Sequence, residues 1–181
     1  MKTTFEHFYD KYHQDLFQFI FYMVKDKEQT EDIVQDVYIK VLKSYESFKG
    51  ESTEKTWLFS IARHETFDYF RKLKRKRNRF LEFFNWGGEE GEQLKSTLAE
   101  PEQSVLLNDQ MKHIYHCMEH CSIDQKQILI LRYIQEFTIQ ESAEILGWSI
   151  SKVKTTQHRA LKILQQCVQS TKREEDDDDK P

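Results

Sequence analysis

The stretch TIQESAEILGWSISKVKTTQHRALKILQQ, residues 138–166, determines the architecture of the C-terminal half of the chain. Thr138 is followed three residues later by Glu141, which is the spacing of a capping box at the start of a helix. Gly147 tolerates the positive φ of a tight turn, and Ala143 is small enough for two helices to cross closely. The stretch therefore predicts a helix-turn-helix. The expected buried stripe of its second helix consists of Val153, Ala160, Leu161 and Leu164.

The opposite face of that second helix carries cations and hydroxyls. Such side chains suit contacts to phosphates and to base edges in the major groove of DNA. An ordinary helical hairpin with a solvated polar face is the alternative interpretation. The predicted duplex-binding residues are Ser151, Lys152, Lys154, Thr155, His158 and Arg159, with Lys162 beside them.

Glycine and proline are scarce, at five and two of the 181 residues. An average globular chain contains about 12 per cent of the two together, so a mostly helical protein is expected. A hydrophobic content of 38% beside 32% charged residues argues against both a disordered chain and a membrane protein. The N-terminal MKTTFEHFYD contains acids where a secretory signal needs an apolar run, and we expect a cytoplasmic protein.

Apolar side chains recur at three- and four-residue steps through the first 80 residues and predict three amphipathic helices. The first carries its stripe from Phe5 to Met23, and the second has Thr30 as its N-cap and stops near Gly50. The third runs from about residue 54 to about residue 79. The expected core stripe of the second helix is Ile33, Val34, Val37, Tyr38, Val41, Leu42 and Tyr45.

A change of composition separates the two halves. Residues 81–104 contain three of the five glycines, one of the two prolines and a net charge of −5, which is typical of a linker. We therefore predict an all-α protein of two small helical domains, residues 1–80 and 105–171, joined by this flexible acidic linker. Residues 172–181 are expected to form an acidic, disordered tail.

The N-terminal half has two surfaces that its core does not explain. On the second helix, a lone exposed Ile39 lies among acids, which suggests docking, although a solvated face is the alternative. On the third helix, Phe59, Phe67 and Phe70 lie beside a run of seven cations in residues 71–79. Aromatic rings beside a cationic track can stack the bases of a single strand. The alternative is that these rings pack against the first helix, and the pattern does not separate the two.

Three separated motifs resemble a known family. TEDIVQDVYIKVLKSYESFKG (residues 30–50), TWLFSIARHETFDYFRK (residues 56–72) and the stretch from residue 124 to residue 164 are similar to extracytoplasmic-function sigma factors, in the same order and spacing. The resemblance is strongest to the cell-envelope-responsive members of Bacillus-type Firmicutes. It implies a bacterial transcription initiation factor that acts with core RNA polymerase and is not itself an enzyme.

The resemblance also implies roles for individual residues. The second helix would bind the clamp coiled coil of the largest polymerase subunit, and the C-terminal domain the flap region. The loop at residues 48–55 and the third helix would recognise and melt the −10 element, and the helix-turn-helix would bind the −35 duplex. The implied polymerase contacts are Asp32, Gln35, Asp36 and Ile39. The implied −10 contacts are Gly50, Ser52, Thr53, Arg63, His64, Phe67, Arg71, Lys72, Lys74 and Arg75. His64 stands where family members often have Asn, so any inherited base preference does not carry over.

The family further implies an anti-sigma partner, commonly anchored in the membrane, but no cofactor and no small-molecule substrate. A free-standing helix-turn-helix regulator is the alternative function, yet no dimerisation helix is evident beyond Lys172. The three cysteines indicate no disulfide framework, because Cys117 and Cys121 stand four apart in a helical pattern. With His113 they could offer three zinc ligands, but small core residues are the simpler interpretation, and we predict no metal site.

Overall fold

The computed structural model describes residues 3–85 and 109–178. It divides the chain into two compact units, Met1–Ala99 and Glu100–Pro181, a boundary that lies inside the predicted linker. All regular secondary structure in the described residues is helical, with no strand among them, as the sequence predicts. None of the helices in these two ranges is long and apolar enough to span a bilayer.

The described residues of the N-terminal unit, 3–85, form a bundle of three α-helices. They are α1 (Thr4–Val24), α2 (Lys27–Ser44) and α3 (Glu54–Asn85), with a 3₁₀ turn at Tyr45–Ser47 after α2. Helix α1 begins at a capping box, because Thr3 Oγ1 accepts from the Glu6 amide while Glu6 Oε2 accepts from the Thr3 amide. The fully buried core side chains include Phe8, Leu16, Phe19, Ile20, Val37, Val41, Leu58 and Phe59.

Two predictions about α2 are wrong. The helix begins at Lys27 with Asp26 as its N-cap, whose carboxylate accepts from the Gln29 amide at 2.9 Å. Thr30 is instead buried in the first turn and donates its hydroxyl to the Asp26 carbonyl. Leu42, expected in the core, is 49% exposed, because α1 and α3 cover the side of α2 that carries Val37 and Val41.

Helix α3 continues to Asn85, six residues beyond the predicted end and into the predicted linker. Residues 80–85 contain neither glycine nor proline, so nothing in them ends a helix. The rest of the predicted linker, residues 86–104, lies outside the described residues.

The described residues of the C-terminal unit, 109–178, contain four α-helices. They are α4 (Asp109–Cys117), α5 (Ile123–Leu129), α6 (Ile139–Leu146) and α7 (Ile150–Asp178), with a 3₁₀ turn at Met118–His120 and a π-helical segment at Ile130–Ile134. The core side chains include Ile128, Ile130, Leu131, Leu146, Val153 and Ala160. The backbone of α7 is helical through Asp178, where a disordered tail from residue 172 was expected, because neither glycine nor proline occurs between residues 150 and 178.

The prediction that the cysteines form no disulfide is wrong. Cys117, the last residue of α4, is bonded to Cys167 on α7, with a Cα–Cα distance of 5.7 Å. The two cysteines are 50 residues apart, so no short, recognisable spacing connects them in the sequence, and helical periodicity cannot reveal their pairing. Cys121 is buried and free. While the disulfide is formed, the Cys117 sulfur cannot serve as a zinc ligand beside His113 and Cys121.

Candidate nucleic-acid interface

The helix-turn-helix forms at the residues that the sequence indicates. Thr138 and Glu141 make both hydrogen bonds of the capping box at the start of α6. Gly147 ends α6 with a φ of 63°, a left-handed conformation that glycine adopts without a steric penalty. Ser149 Oγ then accepts from the Lys152 amide at 3.2 Å and caps the start of α7. Local cap and turn chemistry thus sets the junction between the two helices.

The first turns of α7 separate an apolar side from a polar side. Val153 and Ala160 are fully buried against the rest of the unit. Leu161, expected in the same stripe, is instead exposed at its margin, and Leu164 is half-buried. All the predicted duplex-binding side chains are exposed: Ser151, Lys152, Lys154, Thr155, His158 and Arg159.

An open depression of about 490 Å³ lies where the N-termini of α5 and α7 meet. The residues that line it all have polar side chains, and they include the hydroxyls of both helix caps and two cations. Lys152 crosses it, with its ammonium 3.8 Å from the centre of the Trp148 ring and 4.0 Å from Asp124 Oδ2. The lining residues are Ser122, Asp124, Gln125, Ser149, Ser151, Lys152, Thr155, Thr156 and Arg159. Such a surface can offer donors and positive charge to a sugar-phosphate backbone.

The side chain of Arg132 holds α7 against the rest of its unit, a role that the sequence does not indicate. Arg132, in the π-helical segment, donates from Nε to Gln157 Oε1 on α7 at 3.2 Å. A second guanidinium nitrogen donates to the carbonyl of Phe137, just before the α6 cap. Gln157 in turn donates to Tyr133 Oη at 2.8 Å. Neither the π-helical segment nor the contact across 25 residues produces a periodic signal, so Arg132 resembles any helical arginine in the sequence.

The loop before α3 has the conformation that its glycine allows. Gly50 has a φ of 70°, and Ser52 is half-buried. Thr53 caps α3, because its hydroxyl oxygen accepts from the Thr56 amide at 3.1 Å. That hydroxyl also donates to Thr56 Oγ1, so in this structure it serves the helix start.

The aromatic side chains of α3 divide between the two interpretations. Phe59 is fully buried, with its ring 5.3 Å from that of Phe19, so the packing alternative is correct for this residue. Phe67 and Phe70 are half-buried, 6.3 Å apart and edge to face. The Arg63 guanidinium lies 4.6 Å from the centre of the Phe67 ring. Phe67 and Arg63 thus form one half-exposed cationic and aromatic surface.

The second half of α3 presents the predicted basic track. Every residue from 71 to 79 is exposed, including Arg71, Lys72, Lys74 and Arg75. Two turns before this run, exposed His64 lies 3.5 Å from Asp68, which also pairs with Arg71.

His64, Glu65 and Asp68 lie close enough together to suggest metal ligands. Glu65 is paired with Lys40 of α2, however, and Asp68 with Arg71. Ion pairing therefore accounts for both carboxylates.

Glu54, the first residue of α3, joins the end of the loop to α1. Its Oε2 lies 2.9 Å from His7 Nε2 and 3.4 Å from both Lys11 Nζ and Tyr12 Oη. Tyr45 Oη approaches Oε1 at 3.5 Å. The hydrogen bond with His7 is the main cause that lowers the pKa of the Glu54 carboxyl, and the Lys11 ammonium adds to it. In the sequence Glu54 is only an acid in a first helical turn, so its partners on α1 could not be anticipated.

The exposed face of α2 carries the predicted polymerase contacts. Asp32, Gln35, Asp36 and Ile39 are all exposed. Ile39 is not alone, because the exposed Leu42 lies one turn further along the helix.

Ile39 and Leu42 border a groove of about 470 Å³ between α1 and α2. The groove is lined mainly by aromatic rings, among which Tyr9 and His13 stack at 4.2 Å. Burial lowers the pKa of His13, so the neutral imidazole is favoured there. Its lining residues are Phe5, Tyr9, His13, Phe17, Glu31, Val34, Gln35, Tyr38, Ile39 and Leu42. The α2 face therefore combines acids with a continuous apolar patch.

Comparison with known families matches both units. Residues 8–76 match the model of Sigma-70 region 2, and residues 112–164 match that of Sigma-70, region 4. The chain is 48% identical to the ECF RNA polymerase sigma factor SigX of Bacillus subtilis (strain 168) over 179 residues, which cover 99% of this chain and 91% of the relative. It is 32% identical to the RNA polymerase sigma factor YlaC of the same organism, over 96% of this chain and 97% of that one.

A solved structure has a similar fold. It is the sigma factor RpoE of Bartonella quintana in complex with the anti-sigma factor NepR, with a TM-score of 0.66 and 25% sequence identity. The match covers 90% of this chain and 97% of the solved one.

Proposed function

Because this chain belongs to the extracytoplasmic-function sigma factors of the sigma-70 family, we propose that it binds core RNA polymerase and directs transcription initiation at promoters with −35 and −10 elements. The observation that carries the proposal is the pairing of a helix-turn-helix whose polar face is exposed with a second helical unit that carries a basic and aromatic surface. The protein acts as an initiation factor, and the polymerase catalyses RNA synthesis. It works in the cytoplasm, where the polymerase works.

The first turns of α7 bind the −35 duplex. Lys152, Lys154 and Arg159 supply positive charge for phosphates, and Ser151, Thr155 and His158 supply hydrogen-bonding groups for base edges or backbone. Their common exposure and the polar depression beside them support this assignment.

The loop and α3 bind the −10 region as single-stranded DNA. The exposed basic track from Arg71 to Arg75 neutralises the phosphate charge of the DNA strand, and Phe67 with Arg63 offers a surface for base stacking. A Cβ at Gly50 would meet no atom within 4 Å, which leaves room beside the loop for an extruded base, and Ser52 offers a hydroxyl. Unstacking that base costs a few kcal/mol, which these contacts must return. Thr53 contributes main-chain groups, since its hydroxyl caps α3. His64 is exposed and available to a base edge.

The α2 face binds the clamp coiled coil of the largest polymerase subunit. Asp32, Gln35 and Asp36 provide polar contacts, and Ile39 with Leu42 provides an apolar patch continuous with the α1–α2 groove. The C-terminal unit contacts the flap region. We further propose an anti-sigma partner, anchored in the membrane, that covers the polymerase-binding face. The solved relative crystallised with an anti-sigma factor supports that partner.

Reconstituted transcription tests the proposal. Purified full-length protein is mixed with core RNA polymerase of its own organism, and transcript starts are mapped over genomic DNA. We expect a complex with core and starts at a shared promoter sequence. A protein that binds duplex DNA without binding core would instead be a free-standing helix-turn-helix regulator, and the proposal would be wrong.

A further inference from the structure

The cysteines of the C-terminal unit differ sharply in accessibility. Cys117 is completely buried, whereas Cys167, its disulfide partner, is partly exposed on α7. The ring nitrogen Nε2 of His113, one turn before Cys117, lies 3.7 Å from the Cys117 sulfur. Cys121 is buried and free, and burial raises the pKa of its thiol, so it remains protonated and unreactive.

The position of the disulfide gives it a structural consequence. The 50-residue separation between the two cysteines encloses α5, α6 and the whole DNA-facing part of α7 in one covalent loop. Around the disulfide, the α7 side chains Ile163, Leu164 and Val168 are only half-buried. Apolar packing therefore holds this part of α7 to α4 less completely than it holds the first turns of α7 to the rest of the unit.

We propose that a hydroperoxide oxidises the thiols of Cys117 and Cys167 to a disulfide. This disulfide stabilises the C-terminal unit, which binds the −35 duplex. This inference rests on the proposed function, because a partner of RNA polymerase works in the cytoplasm. Disulfides in that compartment are usually transient, catalytic or redox-sensing.

The accessibility of the two sulfurs fixes the order of the reaction. The Cys167 thiolate attacks one peroxide oxygen, so that an S–O bond forms, the O–O bond breaks, and the leaving hydroxide (or alkoxide) is protonated to water (or alcohol). The buried Cys117 then gives its proton to His113 and attacks the Cys167 sulfur. The S–S bond forms, the S–O bond breaks, and the second hydroxide leaves as water. Two thiols are oxidised by two electrons and one peroxide is reduced by two.

Oxidation affects function by raising the thermal stability of the C-terminal unit. Cross-linking a loop of this length removes conformational freedom from the unfolded chain, so oxidation raises the Tm of the C-terminal unit by on the order of 10 °C. At 25 °C both forms are folded and bind the −35 duplex equally, but the oxidised form keeps binding at temperatures where the reduced form has released it.

Thiol counting tests the chemistry. The reduced full chain has three thiols, and after stoichiometric hydrogen peroxide we expect one. Cys121→Ala, the matched control, should fall from two thiols to none. A sulfenic-acid probe should label Cys167 in Cys117→Ser and leave Cys117 unlabelled in Cys167→Ser. Three surviving thiols, or labelling at Cys117, would overturn the proposal.

Binding of a labelled −35 duplex, followed against temperature, tests the consequence. The oxidised wild type should release DNA on the order of 10 °C above the reduced wild type, while Cys167→Ser should show no response to peroxide. Equal release temperatures overturn the inference even if core binding and transcription are normal. If neither form binds core or promoter, the proposed function fails, while the thiol counts still decide the chemistry.

Discussion

Arg132 and Gln157, 25 residues apart in the chain, are joined by a 3.2 Å hydrogen bond from the guanidinium Nε to the side-chain amide oxygen. The same guanidinium holds the Phe137 carbonyl, so one side chain connects the π-helical segment, the start of α6 and the recognition helix. We expect Arg132→Ala to lower the free energy of unfolding by about 1–3 kcal/mol, since hydrogen bonds to a charged group are lost. It should also weaken −35 binding by letting α7 shift.

A double-mutant cycle isolates that contact. Gln157→Ala alone and together with Arg132→Ala should give non-additive changes in urea-induced unfolding, because the two residues share one interaction. Arg132→Lys should be destabilised as well, because lysine lacks the planar guanidinium that reaches two acceptors. Strictly additive effects would show that Arg132 acts elsewhere.

Arg159→Ala should weaken binding to the −35 duplex by about 1–3 kcal/mol if the side chain contacts a base edge. Fluorescence anisotropy with promoter and scrambled duplexes would measure it. Core binding should be unchanged, and Lys112→Ala, which removes an exposed cation of α4, is the matched control. Loss of core affinity would mean that Arg159 belongs to a different surface.

Asp36→Ala should reduce affinity for core polymerase and leave −35 binding intact. The combined Ile39→Ala and Leu42→Ala replacement should do the same, because both side chains are about half exposed and contribute little to the fold. Asp10→Ala on α1 removes an exposed acid outside this face and should retain wild-type affinity in surface-immobilised core binding. Unaltered affinity in the first two variants would remove α2 from the docking surface.

Glu54 should make the N-terminal unit sensitive to acid. Its carboxyl has a lowered pKa when folded, so its stabilising effect is complete above the pKa of the unfolded chain and disappears as the pH falls through the folded pKa. Glu54→Gln should therefore cost about 1 kcal/mol at neutral pH and nothing in strong acid. Urea-induced unfolding from pH 7 to pH 3 would measure it, with Glu46→Gln, which replaces an exposed acid of the 3₁₀ turn after α2, as the matched control.

Gly147→Ala should destabilise the C-terminal unit by about 1–2 kcal/mol through the backbone alone. A Cβ at this position would meet no atom within 4 Å, so the left-handed φ of 63° is the whole cost. Gly147→Asn should cost less, because asparagine tolerates this conformation. Gly50→Ala, at a φ of 70°, is the corresponding change in the other unit. Calorimetry should show that it leaves the melting of the C-terminal unit unchanged.

The features that the sequence predicts well are those set by neighbours along the chain. Thr138 with Glu141, and the turn at Gly147, are decided within a few residues, so the helix-turn-helix and the exposure of its polar face follow from the pattern. The features it predicts poorly depend on what packs from elsewhere. Periodicity assigns Leu42 to the core, where it is not, and leaves Phe59 undecided between core and surface, because which side of a helix is covered depends on its neighbours.

The ion pair between Lys40 and Glu65 connects the two working faces of the N-terminal unit. Lys40 follows Ile39 of the face that we propose binds the polymerase, and Glu65 follows His64 of the surface that we propose binds the −10 strand. Both faces belong to one three-helix bundle, and within its described residues, 3–85, this ion pair joins α2 directly to α3. On these assignments, a movement of the polymerase clamp would be transmitted to the bound promoter strand through one three-helix bundle and this ion pair.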